Sequence, residues 1–100
     1  MMKLRINPIV AEDLKAIKNF IAEDNVDKAL EIMRELYKQF ENIQQFPHIG
    51  SALSKRVSFK TDYKYIVWNE YIVLYKISKE AVEIYRVVNR YQDITNIFKS

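Results

Sequence analysis

The chain has no cysteine, one histidine, one glycine and two prolines among its 100 residues. Without thiols there is neither a disulfide framework nor a thiolate metal site, a composition that suits a reducing cytoplasm. The single imidazole, His48, excludes a histidine-based metal cluster. It is also the one base a Ser-His-Asp or Cys-His arrangement could use, and nothing in its spacing, in a loop just after a helical stretch, supports that role. The only glycine, Gly50, rules out a glycine-rich phosphate loop. No apolar run approaches the roughly 20 residues that cross a bilayer. The amino terminus, Met1-Met2-Lys3-Leu4-Arg5, meets Asn7-Pro8 and Glu12-Asp13 too early to form the apolar stretch of a secretory signal. The expectation is one cytoplasmic domain over residues 1–100, with no metal, cofactor or membrane association.

An apolar fraction of 49% with 13% aromatics is enough for a packed core. The net charge of +3 is unevenly spread: residues 1–50 hold seven Lys/Arg against eight Asp/Glu, and residues 51–100 hold nine against five. The positive excess therefore lies in the half that reads as sheet, as expected if one face of the sheet meets phosphates or an acidic partner.

Lys3 to Ile6 alternates polar and apolar residues, the pattern of a short opening strand. Asn7-Pro8 then reads as an N-cap followed by proline at the first helical position, where its missing N–H costs nothing. Val10, Leu14, Ile17 and Ile21 recur at helical spacing, which predicts a first helix ending near Asp24. A second begins around Asn25 to Asp27, buries Ala29, Ile32, Met33, Leu36, Phe40 and Ile43, and stops before Pro47. The connection is short, so the helices form an antiparallel hairpin. After Gly50 the period becomes strand-like, with strands expected near residues 52–59, 63–68, 71–77 and 81–89. Asn69-Glu70 makes a two-residue hairpin loop, Ser78-Lys79-Glu80 makes the next turn, and residues 92–98 close the fold as a helical tail or a further extended piece. The predicted class is α+β, in the order β-α-α-β-β-β-β, with the helical hairpin packed on a twisted, mainly antiparallel sheet.

The paired carboxylates Glu12-Asp13 and Glu23-Asp24 lie at the ends of the first helix, where solvation or complementing the helix dipole explains them. The remaining candidates are cations near tyrosines: Lys55, Arg56, Lys60, Lys64, Arg86 and Arg90, with Tyr63, Tyr65 and Tyr91. Cutting an RNA phosphodiester requires deprotonating a 2′-hydroxyl, stabilising charge on the phosphorane and protonating the leaving oxygen. Arg and Lys supply the second service, and a Lys of lowered pKa or a Tyr can move protons where histidine is absent. Exposed tyrosine rings can stack single-stranded bases. Strand parity puts Val82 and Ile84 on one face with Arg86, Val88 and Arg90, which mixes core with charge. A bulge near Arg86 would resolve the conflict by re-aiming Arg90 and Tyr91.

The order of these features resembles the RelE/ParE superfamily, the toxins of bacterial type II toxin-antitoxin modules. The resemblance runs through Asn7-Pro8, Ala11 to Leu14 and Ile17; Phe46-Pro47-His48-Ile49-Gly50; Arg56; Tyr63-Lys64-Tyr65; Tyr71-Ile72-Val73-Leu74-Tyr75; and Ile84-Tyr85-Arg86-Val87-Val88 followed by Arg90 to Asp93. It implies a cognate antitoxin that wraps the toxin, and one of two targets. RelE-like members cut messenger RNA on the ribosome without metal, using Lys, Arg and Tyr on the sheet and near the carboxyl terminus. ParE-like members instead poison DNA gyrase without hydrolytic residues. On the first reading, which the basic sheet favours, Arg56, Lys64 and Arg90 hold phosphate, Tyr91 or Lys55 assists proton transfer, and Lys60, Arg86 and Tyr63 bind the nucleic acid. The helical hairpin ended by Phe-Pro-x-x-Gly is closer to the second. Histidine-using members carry a general acid near the terminus, whereas the neighbours here are Asn89 and Gln92.

Overall fold

Two asparagines open the two helices. Asn7 Oδ1 accepts from the Ile9 amide at 3.1 Å ahead of helix α1 (Pro8–Ala22), and Asn25 Oδ1 accepts from the Lys28 amide at 2.9 Å ahead of α2 (Val26–Gln45). Each cap satisfies one of the amides a helix start leaves without partners and contributes about 1 kcal/mol. The computed structural model describes residues 2–91 and Ile94; of the closing segment expected at residues 92–98, all but Ile94 lies outside the described residues. Strands are β1 (Lys3–Ile6), β2 (Ser51–Ala52), β3 (Lys64–Trp68), β4 (Tyr71–Ile77) and β5 (Ala81–Asn89), in the sheet order β1-β5-β4-β3-β2. The meander β2 to β5 is antiparallel, and β1 joins β5 in parallel, Lys3 opposite Ala81 and Ile6 opposite Ile84. Asn69 adopts the left-handed φ of 57° that turns β3 into β4, a conformation asparagine tolerates better than most residues.

The helical hairpin covers one face. Val10, Leu14, Ile32, Leu36, Phe40 and Ile43 meet Val73, Tyr75, Val82, Ile84 and Val87 there. Each fully buried side chain of this size is worth about 1.5–3 kcal/mol, so the stripe on α2 outweighs its caps. The other face has a smaller core of Leu53, Ile72, Leu74, Val88 and Ile94, edged by Val57, Tyr63, Tyr65 and Tyr85. Central strand β4 is buried from Tyr71 to Tyr75 without alternation because both its faces are covered.

The strand expected at residues 52–59 does not form. Only Ser51 and Ala52 pair with β3; the chain then enters a 3₁₀ turn (Leu53–Lys55), in which Leu53 O accepts from the amides of Arg56 and Val57. The apolar residues Leu53 and Val57 stand four apart, a spacing that fits one face of a helical turn as well as of a strand, and the turn places both against the sheet.

The bulge that parity demanded is present. Tyr75 lies opposite Ile84 and Leu74 opposite Arg86, so Tyr85 is the extra residue in β5. Past it the parity reverses, Val87 joining the helix-side core and Val88 the other. A hydroxyl fixes the turn after α2: Tyr75, with no exposed surface, donates to Pro47 O at 2.7 Å and accepts from the Gly50 amide at 2.9 Å. A Cβ at Gly50 would lie 2.5 Å from that Oη and 2.8 Å from Tyr65 O. Gly50 has an extended φ of −80°, so it is needed for space rather than for backbone freedom.

Candidate functional site

The sheet face away from the helices carries an aromatic row that the loop after β2 leaves partly open. Tyr63 and Tyr85 approach at 5.0 Å between ring centroids, tilted by 37°. Lys76 Nζ stands 5.7 Å from the Tyr63 ring, and Arg56 Cζ 5.4 Å from the Tyr65 ring. Cations over aromatic faces at these distances are attracted by about 0.5–1 kcal/mol when exposed. Burial, then the neighbouring Tyr85, Asp62 and Glu83, pushes the Tyr63 hydroxyl above its ordinary 10.0, which makes it a poor base at neutral pH.

The expected site residues divide among several surfaces. Arg56 is on the aromatic face, with Lys55 and Lys60 exposed on the segment that crosses it. Lys64 is opposite Tyr75, a residue of the helix-side core, and directly opposed residues of an antiparallel pair share a face. It therefore sits on the other side of the sheet from Arg56. Arg90 and Tyr91 lie at the tip of the β3–β4 hairpin, where the Arg90 amide donates to Glu70 O and its guanidinium covers the largely exposed Tyr91 ring at 5.6 Å. From Tyr65, paired with Leu74, to this tip is four strand positions, roughly 13 Å at the rise of a strand.

Arg86, expected to meet nucleic acid, is held inside the protein. Its Nε and Nη2 donate to the two carboxylate oxygens of Asp13, each at 2.8 Å, and Asp13 Oδ2 also accepts from the Val87 amide at 3.0 Å. The Asp13 side chain is 10% exposed and that of Arg86 20%. The hydrogen bonds Arg86 donates to Asp13 are the main influence raising the Arg86 pKa, against a smaller contribution from burial. The local reason is the end of β1: its pairing stops at Ile84, the Asn7 amide donating to Ile84 O, so beyond this point β5 has an open edge that Asp13 caps from α1. The carboxylate read as solvated is thus a structural acceptor. Lys76 is the functional candidate that sequence reasoning missed; its signal was its parity with Ile72 and Leu74 in β4, which puts it on their face of the sheet.

A helical hairpin on a bulged five-stranded sheet, with the cations of the described residues spread over several surfaces, defines a small α+β protein. The profile of one family, described as the ParE toxin of type II toxin-antitoxin system, parDE, matches residues 4–94, and the chain belongs to that family. Among solved structures, a chain of the chromosomal ParDE TA system from P. aeruginosa superposes with a TM-score of 0.74 at 20% identity, covering 89% of this chain and 96% of that one. No curated protein sequence matches. Among the described residues, no helix is long and apolar enough to cross a membrane.

Proposed function

We propose that this toxin arrests growth by binding DNA gyrase and holding it in a poisoned complex, with no hydrolytic chemistry of its own. Membership of the ParE family supports that target, since ParE-like members of the superfamily act on gyrase. The observation that carries the reading is the separation of the cations. Phosphodiester cleavage needs a base, a charge stabiliser and an acid around one phosphate, within hydrogen-bond reach of the reacting atoms. Lys64 is on the wrong face for that, Arg86 is bound to Asp13, and Arg90 with Tyr91 is about four strand positions from Arg56. The second reading, ribosome-dependent cleavage of messenger RNA, is favoured by one feature: Arg56 over Tyr65 and Lys76 over Tyr63 put two cations and two rings on one face.

Brief induction in bacteria, with transcript integrity and gyrase-linked DNA breaks followed in parallel, separates the two. The expected result is DNA breaks with intact transcripts, and unchanged growth arrest for Lys64→Ala. Transcript cleavage that precedes any DNA break, and that disappears in Arg56→Ala, would overturn the proposal.

A further inference from the structure

Beside the Asp13–Arg86 pair the surface opens into a groove of about 290 Å³ between α1 and the tip of the β3–β4 hairpin. It exists because β1 ends at Ile6, opposite Ile84, and leaves the far end of β5 without a neighbouring strand, and because Ala16 on α1 is too small to fill the space. Phe20 stands on its rim, 75% exposed, and Tyr71 lies in the opposite wall. A phenyl ring held in water on the edge of a preformed groove forgoes most of the ~1.5–3 kcal/mol its burial can provide, which marks it as a contact for something else.

The charge around this groove runs against that of the molecule. The chain carries +3, but among the groove-lining residues the one guanidinium, Arg86, is doubly bonded to Asp13 and also feels Glu12, while Glu70 on the far rim has no ion-pair partner among the described residues, the neighbouring Arg90 lying over the Tyr91 ring. The Val87 amide, which faces this edge, is already taken by Asp13, so a further strand finds no free donor at that position. A side chain with an apolar stem and a cationic head fits what remains: the stem against Phe20 and Tyr71, the head at the Glu70 carboxylate and over the Phe20 ring.

We propose that this groove receives one arginine or lysine side chain of the cognate antitoxin, anchored between Phe20 and Glu70. The antitoxin is the partner that membership of a type II toxin-antitoxin family provides. Acidic segments suited to the basic sheet would be repelled here, so a single basic anchor in this groove sets the direction in which the antitoxin lies. The inference rests on family membership and is independent of whether gyrase or messenger RNA is the target.

The test uses the purified full-length toxin and its cognate antitoxin. Glu70→Lys and Phe20→Ala change exposed positions, and circular dichroism checks that both variants fold. Titration calorimetry should show each weakening antitoxin binding by on the order of tenfold or more. Reversal of one antitoxin Arg or Lys to Glu should restore affinity for Glu70→Lys and weaken that for the unaltered toxin. Both toxin variants, expressed without antitoxin, should arrest growth as the parent does. Affinities within twofold of the parent overturn the proposal, as does a loss that no antitoxin reversal repairs. Lost toxicity with intact antitoxin binding assigns the groove to the target instead and also overturns it.

Discussion

Removing the Asp13 carboxylate tests how α1 is joined to the sheet. In Asp13→Ala the Arg86 guanidinium, 20% exposed, loses both 2.8 Å hydrogen bonds and its counter-charge, and the Val87 amide loses its acceptor. Breaking one side of a fully buried pair costs about 3–5 kcal/mol, and an orphaned amide about 1–3, but the two overlap and the partial exposure of Arg86 lets water recover some of the loss. The expected penalty is about 2–4 kcal/mol, or roughly 10–25 °C in Tm for a domain of this size. Asp13→Asn keeps an acceptor for Val87 and should lose only about half as much. Because the Arg86 pKa is raised, its stabilising contribution is complete below its ordinary range and fades only as pH climbs through the folded value in strong alkali. Urea denaturation at about pH 7 and about pH 9 should therefore return the same penalty with an unchanged slope. A loss under about 0.5 kcal/mol for Asp13→Ala would refute the assignment of this pair as the clamp between helix and sheet.

Other expectations follow from the second polar contact and from the buried phenols. Tyr75→Phe strands Pro47 O and the Gly50 amide and should cost about 1–3 kcal/mol by chemical denaturation, while Gly50→Ala, driven against the Tyr75 hydroxyl, should cost at least as much. If the clash is the cause, adding Tyr75→Phe to Gly50→Ala should cost less than the separate penalties combined; strict additivity would point elsewhere. Burial raises Tyr63, Tyr71 and Tyr75 above 10.0, with the Gly50 amide partly opposing the rise at Tyr75. The folded state then holds protons the unfolded state gives up, so stability is full below about pH 10 and falls as pH rises through the folded values. Ultraviolet titration of tyrosinate should show a late-ionising group of residues whose release coincides with unfolding; ionisation of all seven tyrosines together near their ordinary value would contradict this.

What could be read in advance was local. Asn7, Asn25 and Asn69 act on backbone within three residues of themselves, and the stripes of the two helices follow from a period that neighbouring residues carry. Arg86 is different: its partner lies 73 positions earlier in the chain, and only the conflict between charge and core in β5 hinted that it had one. The loop at residues 53–59 misled because Val57 and Phe59 suit a strand and the spacing of Leu53 and Val57 fits a strand face and a helical turn alike. Lys64 illustrates a third limit. Its residue type suits a phosphate contact, but which side of the sheet it occupies depends on its register with Tyr75, a non-local fact.

The parallel pairing of β1 with β5 also orders events during synthesis. Lys3 precedes its partner Ala81 by both helices and the β2–β4 meander, so the sheet cannot close until β5 has been made. A nascent chain halted before β5 therefore has the helical hairpin but lacks the strand on which both α1 and β1 rest. The two sides of the sheet thus take their final form together, when β5 enters between β1 and β4.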